Sequence, residues 1–367
     1  MDVNLTVNKN ATIRASYIFF IMATVQLGVG ILGGPAYVFQ VVKQDAWLSI
    51  IIATVAIMLN LTIMFFILKQ YKNADIFGIH IDIFGKWLGK LIGSIYIAYF
   101  MLSIISVLLT YLEVVNIFLY PTLSPFIIGL LIITLIVYSV SGGLRATVGT
   151  CVIFFFLTQG VLLFLYDPIQ RIEWDHFFPC FKPPFQKLLK GAQKSTYTLL
   201  GFEFILLIYP FIDNKKHIKL PTYLGVLYSS IITLASAVII IGYFSLKRVT
   251  VVEWPFLTAF KSVSLPFAER LDFIVVMLWM MVVLPTCVLL TWMISQGLHR
   301  VFAINLKMAV YGVSIILLLI VSFLKYDYII LKVTDYVAKI GFWLIFVYPF
   351  ILLPIVLLKN KIRGNKK

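Results

Sequence analysis

Four glycines and a proline interrupt an apolar segment that is otherwise long enough to cross a bilayer. In hydrocarbon, an unwound backbone is tolerated only where it is buried in protein or lines a cavity. Such a break can recognise a ligand through the main chain, because free N–H groups at the start of a half-helix attract an anion such as a carboxylate. The interrupting residues are Gly28, Gly30, Gly33, Gly34 and Pro35. We therefore predict a broken helix with a ligand site at Gly28, Val29, Gly30 and Ile31.

The alternative for this run is a glycine-rich face that packs against another helix. Such a packing motif needs only two small residues four positions apart. The density of glycines, followed at once by Pro35, favours unwinding over packing.

A second interruption is predicted in the sixth apolar segment, around Gly201 and Glu203 and upstream of Pro210. An ionisable residue inside a membrane span is a functional candidate by default. We predict that the amine of the ligand meets free carbonyl groups at Leu200, Gly201 and Phe202, and the carboxylate of Glu203. The alternative is a structural carboxyl group that is hydrogen-bonded to a neighbouring helix.

Other residues near the predicted pocket are weaker candidates. Glu113 lies about two helical turns before Pro121, so we expect it to reach the interface as a snorkelling acid. Tyr99, Phe202 and Trp279 could close the pocket, although aromatic residues at helical spacing more often serve packing.

The sequence predicts neither enzyme chemistry nor a metal or cofactor site. The four histidines fall in loops or at span ends and share no ligand or nucleophile spacing. Two of the three cysteines lie in apolar spans and one in a polar loop, without a CxxC pair. We expect a binding protein that uses no cofactor.

Composition places the chain in a membrane. Its 367 residues are 62% apolar and 12% charged, with a mean hydropathy of +1.02, whereas soluble domains are roughly 45–50% apolar and about 25% charged. Apolar runs of about 20 residues, long enough to span, recur along the chain. We predict ten spans, at 14–38, 46–69, 88–119, 126–141, 147–166, 194–212, 221–244, 270–297, 305–324 and 336–358. Residues 14–358 then form one transmembrane domain, with an N-terminal tail at 1–13 and a basic C-terminal tail at 359–367.

The distribution of basic residues predicts an orientation. Lys and Arg are in excess on the side that holds both termini, so we expect both termini to be cytoplasmic. The formal charge of +15 is scattered over loops and helix ends. Membrane lipid headgroups are therefore the predicted charged partner, and no nucleic acid is expected.

Three loops are longer than the others. Residues 70–91 predict an interfacial amphipathic helix, and residues 167–194 are polar, proline-rich and too irregular to span. Residues 245–272 contain Trp254-Pro255, which predicts a short helix above the bundle, either a lid or an ordinary interfacial anchor. The apolar face of the amphipathic helix consists of Phe77, Ile81, Phe84 and Leu88.

The two predicted interruptions fall in the first and sixth spans, five spans apart. This spacing is that of the inverted five-plus-five repeat of leucine-transporter-like folds. The predicted fold class is therefore an all-α integral membrane protein of about ten transmembrane helices, with helices 1 and 6 broken.

The sequence at both breaks resembles the broken-helix motifs of the amino acid, polyamine and organocation superfamily. The matching residues are Gly28-x-Gly30-Ile31 with the following Gly-Pro, and Gly201-Phe202-Glu203. Four further segments resemble, in order and spacing, the B subunits of bacterial spore germinant receptors, and the similarity runs from about residue 12 to 362. These segments are Gly85-Lys86-Trp87-Leu88-Gly89, Tyr138 to Leu144, Asp175 to Pro179, and Trp254-Pro255 followed by Phe267-x-Glu269-Arg270-Leu271-Asp272.

The resemblance implies a subunit of the spore inner membrane that senses a nutrient such as an amino acid, assembled with a larger A subunit and a lipoprotein C subunit. The chain departs from the family pattern in two places: Gly149 stands where relatives often carry arginine, and the fifth span has no lysine. The missing lysine favours binding over ion-coupled uphill transport. We expect a small zwitterionic nutrient to bind between spans one, three, six and eight and to trigger a conformational change. The alternatives are an amino acid permease with alternating access and a non-binding scaffold or passive conduit.

Overall fold

The computed structural model describes residues 2–263, 270–324 and 327–364. Regular structure in these ranges is helical, apart from one isolated parallel bridge between Ile13 and Ile212. A π-helical segment, Phe342–Val347, joins the last two helices. The helices are α1 (Tyr17–Val25), α2 (Gly30–Val42), α3 (Ala46–Lys69), α4 (Ile76–Phe118), α5 (Pro125–Ser141), α6 (Gly143–Leu163), α7 (Tyr166–Gln170), α8 (Phe185–Thr198), α9 (Phe202–Phe211), α10 (Lys219–Tyr243), α11 (Leu246–Val251), α12 (Pro255–Ala259), α13 (Leu271–Phe302), α14 (Leu306–Phe323), α15 (Asp327–Gly341) and α16 (Tyr348–Gly364).

These helices form the membrane-spanning bundle that the sequence predicts. Within the described ranges, seven helical stretches are long and apolar enough to cross a membrane, and α5 and α9 are shorter apolar helices. The first span consists of the half-helices α1 and α2, and the sixth consists of α8 and α9. The predicted fold class is confirmed: the protein is an all-α membrane protein with leucine-transporter-like architecture, in which spans one and six are broken.

The sixth span begins earlier than predicted. Its first half, α8, starts at Phe185 directly after Pro184, so the prediction of irregular structure up to residue 194 was wrong. The lysines of α8 lie on its exposed face, while Gly191 and Ala192 are buried against α2 and α3. This amphipathic half-helix is too polar on average to be recognised as part of a span.

Gly85 divides α4 into two parts. Its φ of +79° lies in a region that favours glycine. The part before it, residues 76–84, folds back on the start of the third span. The two parts lie so close together that a Cβ on Gly89 would lie 2.8 Å from the Cα of Ile81. The prediction of an interfacial helix was wrong here: residues 76–84 are mostly buried, and Leu88, beyond the turn, is 55% exposed.

The face of the bundle that carries both ends of the chain, called here the terminal face, contains a buried ion pair. The Asp75 carboxylate accepts hydrogen bonds from Arg300 Nε at 2.9 Å and Nη2 at 3.1 Å. It also caps α4 by accepting from the Gly78 N–H at 2.7 Å. Arg300 in turn donates to the carbonyl of Asp2 at 2.9 Å. One ion pair thus ties α4, α13 and the N-terminal segment together.

A second ionic contact at the terminal face joins α4 to α16. Arg363 donates to both carboxylate oxygens of Asp82, at 2.7 and 3.1 Å, and Lys359 donates to the Asp82 carbonyl. The Tyr71 hydroxyl donates to the same carboxylate at 3.0 Å, and burial together with the Asp82 charge raises the pKa of Tyr71. The C-terminal end of the tenth span is therefore fixed at this face.

The opposite face, called here the loop face, carries residues 164–184 and 244–263. The predicted short helix after Trp254 is α12, which packs against α2, α10 and α13. In the motif from Phe267 to Asp272, residues up to 269 lie outside the described residues. Arg270 forms an ion pair with Asp272 at 2.8 Å.

The tenth span contains a wide turn. The π-helical segment 342–347 leaves carbonyl groups that Asn60 of α3 contacts. The Asn60 amide nitrogen lies 2.8 Å from the carbonyl oxygen of Ile345 and 3.2 Å from that of Phe346. The second and tenth spans are thus hydrogen-bonded to each other inside the bundle.

Arg300→Met is expected to lower the free energy of unfolding by about 3–5 kcal/mol, because the Asp75 carboxylate stays buried without its partner. Adding Asp75→Asn should recover part of this loss, since no charge then remains buried and the amide oxygen still caps α4. Arg171→Met removes an exposed ion pair and should cost at most about 1 kcal/mol. Denaturant unfolding in detergent micelles measures all three, and equal losses for Arg300→Met and Arg171→Met would contradict the prediction.

Candidate functional site

The two interruptions meet in the middle of the bundle. Residues 26–29 separate α1 from α2, and residues 199–201 separate α8 from α9. The Thr198 hydroxyl lies 3.4 Å from the Gly30 carbonyl oxygen, and a Cβ on Gly30 would lie 3.0 Å from the Thr198 Cα. A Cβ on Gly34 would meet the Thr198 side chain more closely still. Glycine therefore fits best where the start of α2 approaches the end of α8, because any side chain there would push Thr198 away.

Glu203 holds the second break in shape. Gly201 has a φ of +119°, and a Cβ there would collide with Val25 of α1. The Gly201 N–H donates to one carboxylate oxygen of Glu203 at 2.7 Å, and the Tyr99 hydroxyl donates to the other at 2.9 Å. Both oxygens of this buried carboxylate thus have a protein donor. This arrangement is the structural alternative considered above, and it also places Glu203 at the wall of a cavity.

Gln26 joins the first break to the second. Its side-chain amide nitrogen donates to the Leu199 carbonyl at 2.6 Å, and its oxygen accepts from the Ser229 hydroxyl of α10 at 2.6 Å. The side chain is buried, and both of its polar groups have hydrogen-bond partners within the protein. The sequence analysis did not single out Gln26, because the only polar side chain considered at either break was the acidic Glu203. A polar side chain two residues before Gly28 in an apolar run is the signal that could have revealed it.

The breaks enclose a small space, called here the inner cavity, of ≈ 60 Å³. Its other walls come from α4, α13 and α15, including Tyr99, Ser103, Thr286 and Val337. Thr286 lines it, and its buried hydroxyl has no hydrogen-bond partner among the described residues. Six of the predicted site residues line this cavity: Gly28, Val29, Gly30, Leu200, Gly201 and Glu203.

Two predicted site residues do not line the inner cavity. The Ile31 side chain faces a separate cavity beside α6 and α10, because it lies on the opposite side of α2. The Phe202 ring packs edge to face on Phe346, with centroids 5.3 Å apart. Of the candidate aromatic residues, Tyr99 lines the inner cavity, whereas Trp279 lies against Phe256 beside the same separate cavity as Ile31.

A larger space, the outer cavity, lies on the loop-face side of the breaks and measures ≈ 310 Å³. The two cavities share Val29, Gly30, Tyr197 and Thr198 as lining residues. The outer cavity is further lined by Gly33, Tyr37, Glu113, Lys194, Trp254 and Asp335. The prediction that Glu113 snorkels to the interface was wrong, because it is only 7% exposed and forms part of this wall.

A hydrogen-bonded layer includes Tyr197, which lines both cavities. The Ser106 hydroxyl is 2.9 Å from the Tyr197 hydroxyl and 2.8 Å from that of Thr334. These residues belong to α4, α8 and α15, so the layer connects spans three, six and ten.

No group of His, Cys, Asp or Glu in the part of the chain that the structure describes could hold a metal ion. The site therefore offers backbone groups, hydroxyl groups, carboxylates and aromatic rings. These are groups for reversible binding of a small polar molecule.

Residues 12–330 match the sequence family described as "Spore germination protein". Spore germination protein GerQB of Bacillus cereus is 29% identical over 347 residues, covering 94% of this chain and 96% of that protein. Spore germination protein A2 of Bacillus subtilis (strain 168) is 23% identical over 346 residues, covering 93% and 94%. These relatives are matched over almost their whole length.

A solved structure of a Na⁺-coupled sialic acid symporter, in a substrate-bound outward-open state, is similar in fold. The TM-score is 0.61 at 10% sequence identity, covering 95% of this chain and 76% of the symporter chain. At this identity the similarity shows the fold alone.

Gly201→Ala is expected to destabilise the protein, because its φ costs a side chain about 1–3 kcal/mol and the added Cβ collides with Val25. Gly143→Ala serves as a control for backbone strain alone, since Gly143 has a φ of +78° with no atom near the new Cβ. Gly149→Ala lies in a helix with open space and should be neutral or slightly stabilising. Thermal unfolding should rank the losses in that order, and equal losses for Gly201→Ala and Gly143→Ala would contradict close packing at the break.

Proposed function

The chain belongs to the spore germination protein family, and we propose that it is the nutrient-sensing subunit of a germinant receptor in the spore inner membrane. Membership of this family, together with the transporter-like fold, makes it a permease-like or receptor-like membrane protein rather than an enzyme. By the resemblance to B subunits, its partners are a larger A subunit and a lipoprotein C subunit. Both termini are proposed to be cytoplasmic, so that the loop face is the outer one.

The observation that carries this proposal is the direct contact of the two broken spans beside a cavity. The start of α2 presents its first N–H groups and the end of α8 its last carbonyl groups, of which those of Thr196 and Tyr197 accept from the N–H groups of Leu199 and Leu200. The two ends meet where Thr198 approaches Gly30. One end attracts an anion and the other a cation, which suits a zwitterion such as an amino acid.

The proposed ligand contacts follow from these two ends. A carboxylate would bind at Gly28, Val29, Gly30 and Ile31 through the backbone. An ammonium group would bind at the carbonyl groups of Leu200, Gly201 and Phe202, with Glu203 adding negative charge. Ligand held between two half-helices favours one relative position of the spans, and this difference in affinity is the signal.

The alternative function is an amino acid permease with alternating access. The fold similarity to a symporter favours it, whereas the missing lysine in the fifth span favours a sensor. Both functions need a binding site. Only a permease needs net movement of the nutrient across the membrane.

Gly30→Val is expected to abolish the germination response to nutrient, because the added side chain separates α2 from α8 at Thr198. Gly30→Ala, a smaller change at the same contact, should raise the nutrient concentration needed by about tenfold, equivalent to roughly 1.4 kcal/mol of binding. Gly149→Val is the matched control, since a Cβ there meets no atom within 4 Å. Dose-response curves of spores with equal protein levels test this prediction. A normal curve for Gly30→Val would show that the ligand site does not lie at the breaks.

Purified protein in liposomes is expected to bind labelled amino acid without accumulating it. Binding and uptake are measured on the same vesicles, with and without an imposed proton gradient. Gly30→Val provides the non-binding control. Concentrative uptake by this chain alone would make it a permease and would overturn the sensor proposal.

A further inference from the structure

An open crevice lies at the terminal face, between the start of α1 and the start of α6. Its volume is ≈ 660 Å³, and the residues that line it include Arg14, Tyr17, Arg145 and Asp213. None of its lining residues lines the inner or the outer cavity. The crevice is therefore a separate space from the one at the two breaks.

Two arginines bring positive charge to this crevice. The Arg145 guanidinium is held in place by the chain before α1, because its Nε donates to the Thr12 carbonyl and its Nη2 to the Lys9 carbonyl, both at 3.0 Å. Its Nη1 group takes no part in these bonds. The Arg14 side chain is exposed and makes no hydrogen bond or ion pair with the residues that the structure describes. Guanidinium groups with free N–H donors match the oxygens of a phosphate.

Asp213 brings a negative charge to the same crevice. The parallel bridge between Ile13 and Ile212 places the two segments side by side. The Asp213 N–H donates to the Ile13 carbonyl at 3.0 Å. Arg14 and Asp213 directly follow the bridged residues, yet no ion pair joins them within the described part of the chain. Opposite charges that are held in one crevice without pairing can bind a group that carries both charges.

The crevice continues into an apolar surface on α6. Val152 and Ile153 line it about two helical turns beyond Arg145. The side chains of Ile153, Phe156 and Leu157, called here the α6 stripe, are exposed and share one face of the helix. In a membrane this stripe contacts lipid chains. The crevice thus has charged groups at the membrane surface and an apolar path towards the membrane centre, as a phospholipid has.

We propose that this crevice binds one phosphatidylethanolamine molecule from the leaflet at the terminal face. Its phosphate would bind Arg14 and Arg145, its ammonium group would bind Asp213, and one acyl chain would lie along the α6 stripe. Basic groups alone would favour an anionic lipid. The Asp213 carboxylate repels such a headgroup and forms a charge-assisted hydrogen bond with an ammonium group. This site does not depend on the sensing function proposed above.

Native mass spectrometry of the full chain in detergent micelles, titrated with one lipid at a time, tests the site. The probes are the palmitoyl-oleoyl forms of phosphatidylethanolamine, phosphatidylcholine and phosphatidylglycerol, together with glycerophosphoethanolamine, which lacks acyl chains. The first phosphatidylethanolamine should bind most tightly, because the choline ammonium has no N–H to donate and the glycerol headgroup has no ammonium. Equal affinity for either other lipid would overturn the proposal. So would glycerophosphoethanolamine binding as tightly as the lipid, because the ligand would then be a free phosphate compound.

Arg14→Gln should weaken phosphatidylethanolamine binding by about fivefold, since one basic residue at the lipid surface is lost. Its side chain makes no contact that holds the fold, so a loss of binding cannot come from unfolding. Lys307→Gln is the matched control, because Lys307 is an exposed cation at the terminal face, outside the crevice. Equal losses in the two variants would show a general effect of charge and would overturn the site.

Asp213→Asn removes the negative charge and keeps the shape of the side chain. It should weaken binding of phosphatidylethanolamine and strengthen binding of phosphatidylglycerol, because the repulsion of an anionic headgroup disappears. A structural defect would shift both lipids in the same direction. A change of the same sign for both would therefore overturn the assignment of the ammonium group to Asp213.

A space-filling variant tests the crevice without changing its charges. Gly149 lines it, and a Cβ there meets no atom within 4 Å, so Gly149→Trp should occupy the crevice and prevent binding of the first lipid. Gly160→Trp is the matched control, because Gly160 lies on the same helix with equally open space and outside the crevice. Its binding should equal that of the parent. Normal binding in Gly149→Trp would overturn the proposal.

Discussion

The structure depends on the requirement that backbone polar groups inside a membrane find partners within the protein. Breaking two spans at the same depth leaves N–H and carbonyl groups that lipid cannot satisfy. A few side chains at the centre of the bundle hydrogen-bond to these groups. Gln26 reaches the Leu199 carbonyl and Ser229, and Glu203 takes the Gly201 N–H and the Tyr99 hydroxyl. Without these hydrogen bonds, the free energy of the two unwound segments would be higher than that of two continuous helices.

The sequence predicted the spans and the breaks well because these features are local. A long apolar run, a cluster of glycines or an acid among leucines can be recognised without knowledge of the partner helices. The first break was expected at Gly28 to Ile31 and lies at residues 26–29, and the second lies at residues 199–201. The start of the sixth span was missed because α8 buries only one of its faces, so its average composition resembles that of a loop.

The sequence alone could not show how deep a residue lies in the bundle or in which direction its side chain points. Glu113 was expected at the interface from its distance to Pro121, but α4, which ends at Phe118 much as predicted, turns that position inward. Trp254 was recognised as part of a cap, but only the fold brings its side chain to the cavity that Glu113 also lines. Ile31 and Phe202 were predicted to contribute backbone groups, and the fold directs their side chains away from the inner cavity. Direction depends on which neighbours each helix packs against, and a single sequence does not contain that information.

The wide turn in the tenth span has a mechanical consequence. π-helical turns are among the places where helices bend, and segment 342–347 separates α15, which lines the outer cavity with Thr334 and Asp335, from α16. The far end of α16 is anchored to Asp82 by Arg363. The tenth span is therefore fixed at one end, lines the cavity at the other, and has a π-helical turn between them that hydrogen-bonds to Asn60. If α15 is displaced at the cavity, bending of the π-helical turn absorbs part of the motion before it reaches the terminal face. The stiffness of this turn therefore determines how far α16 moves with α15.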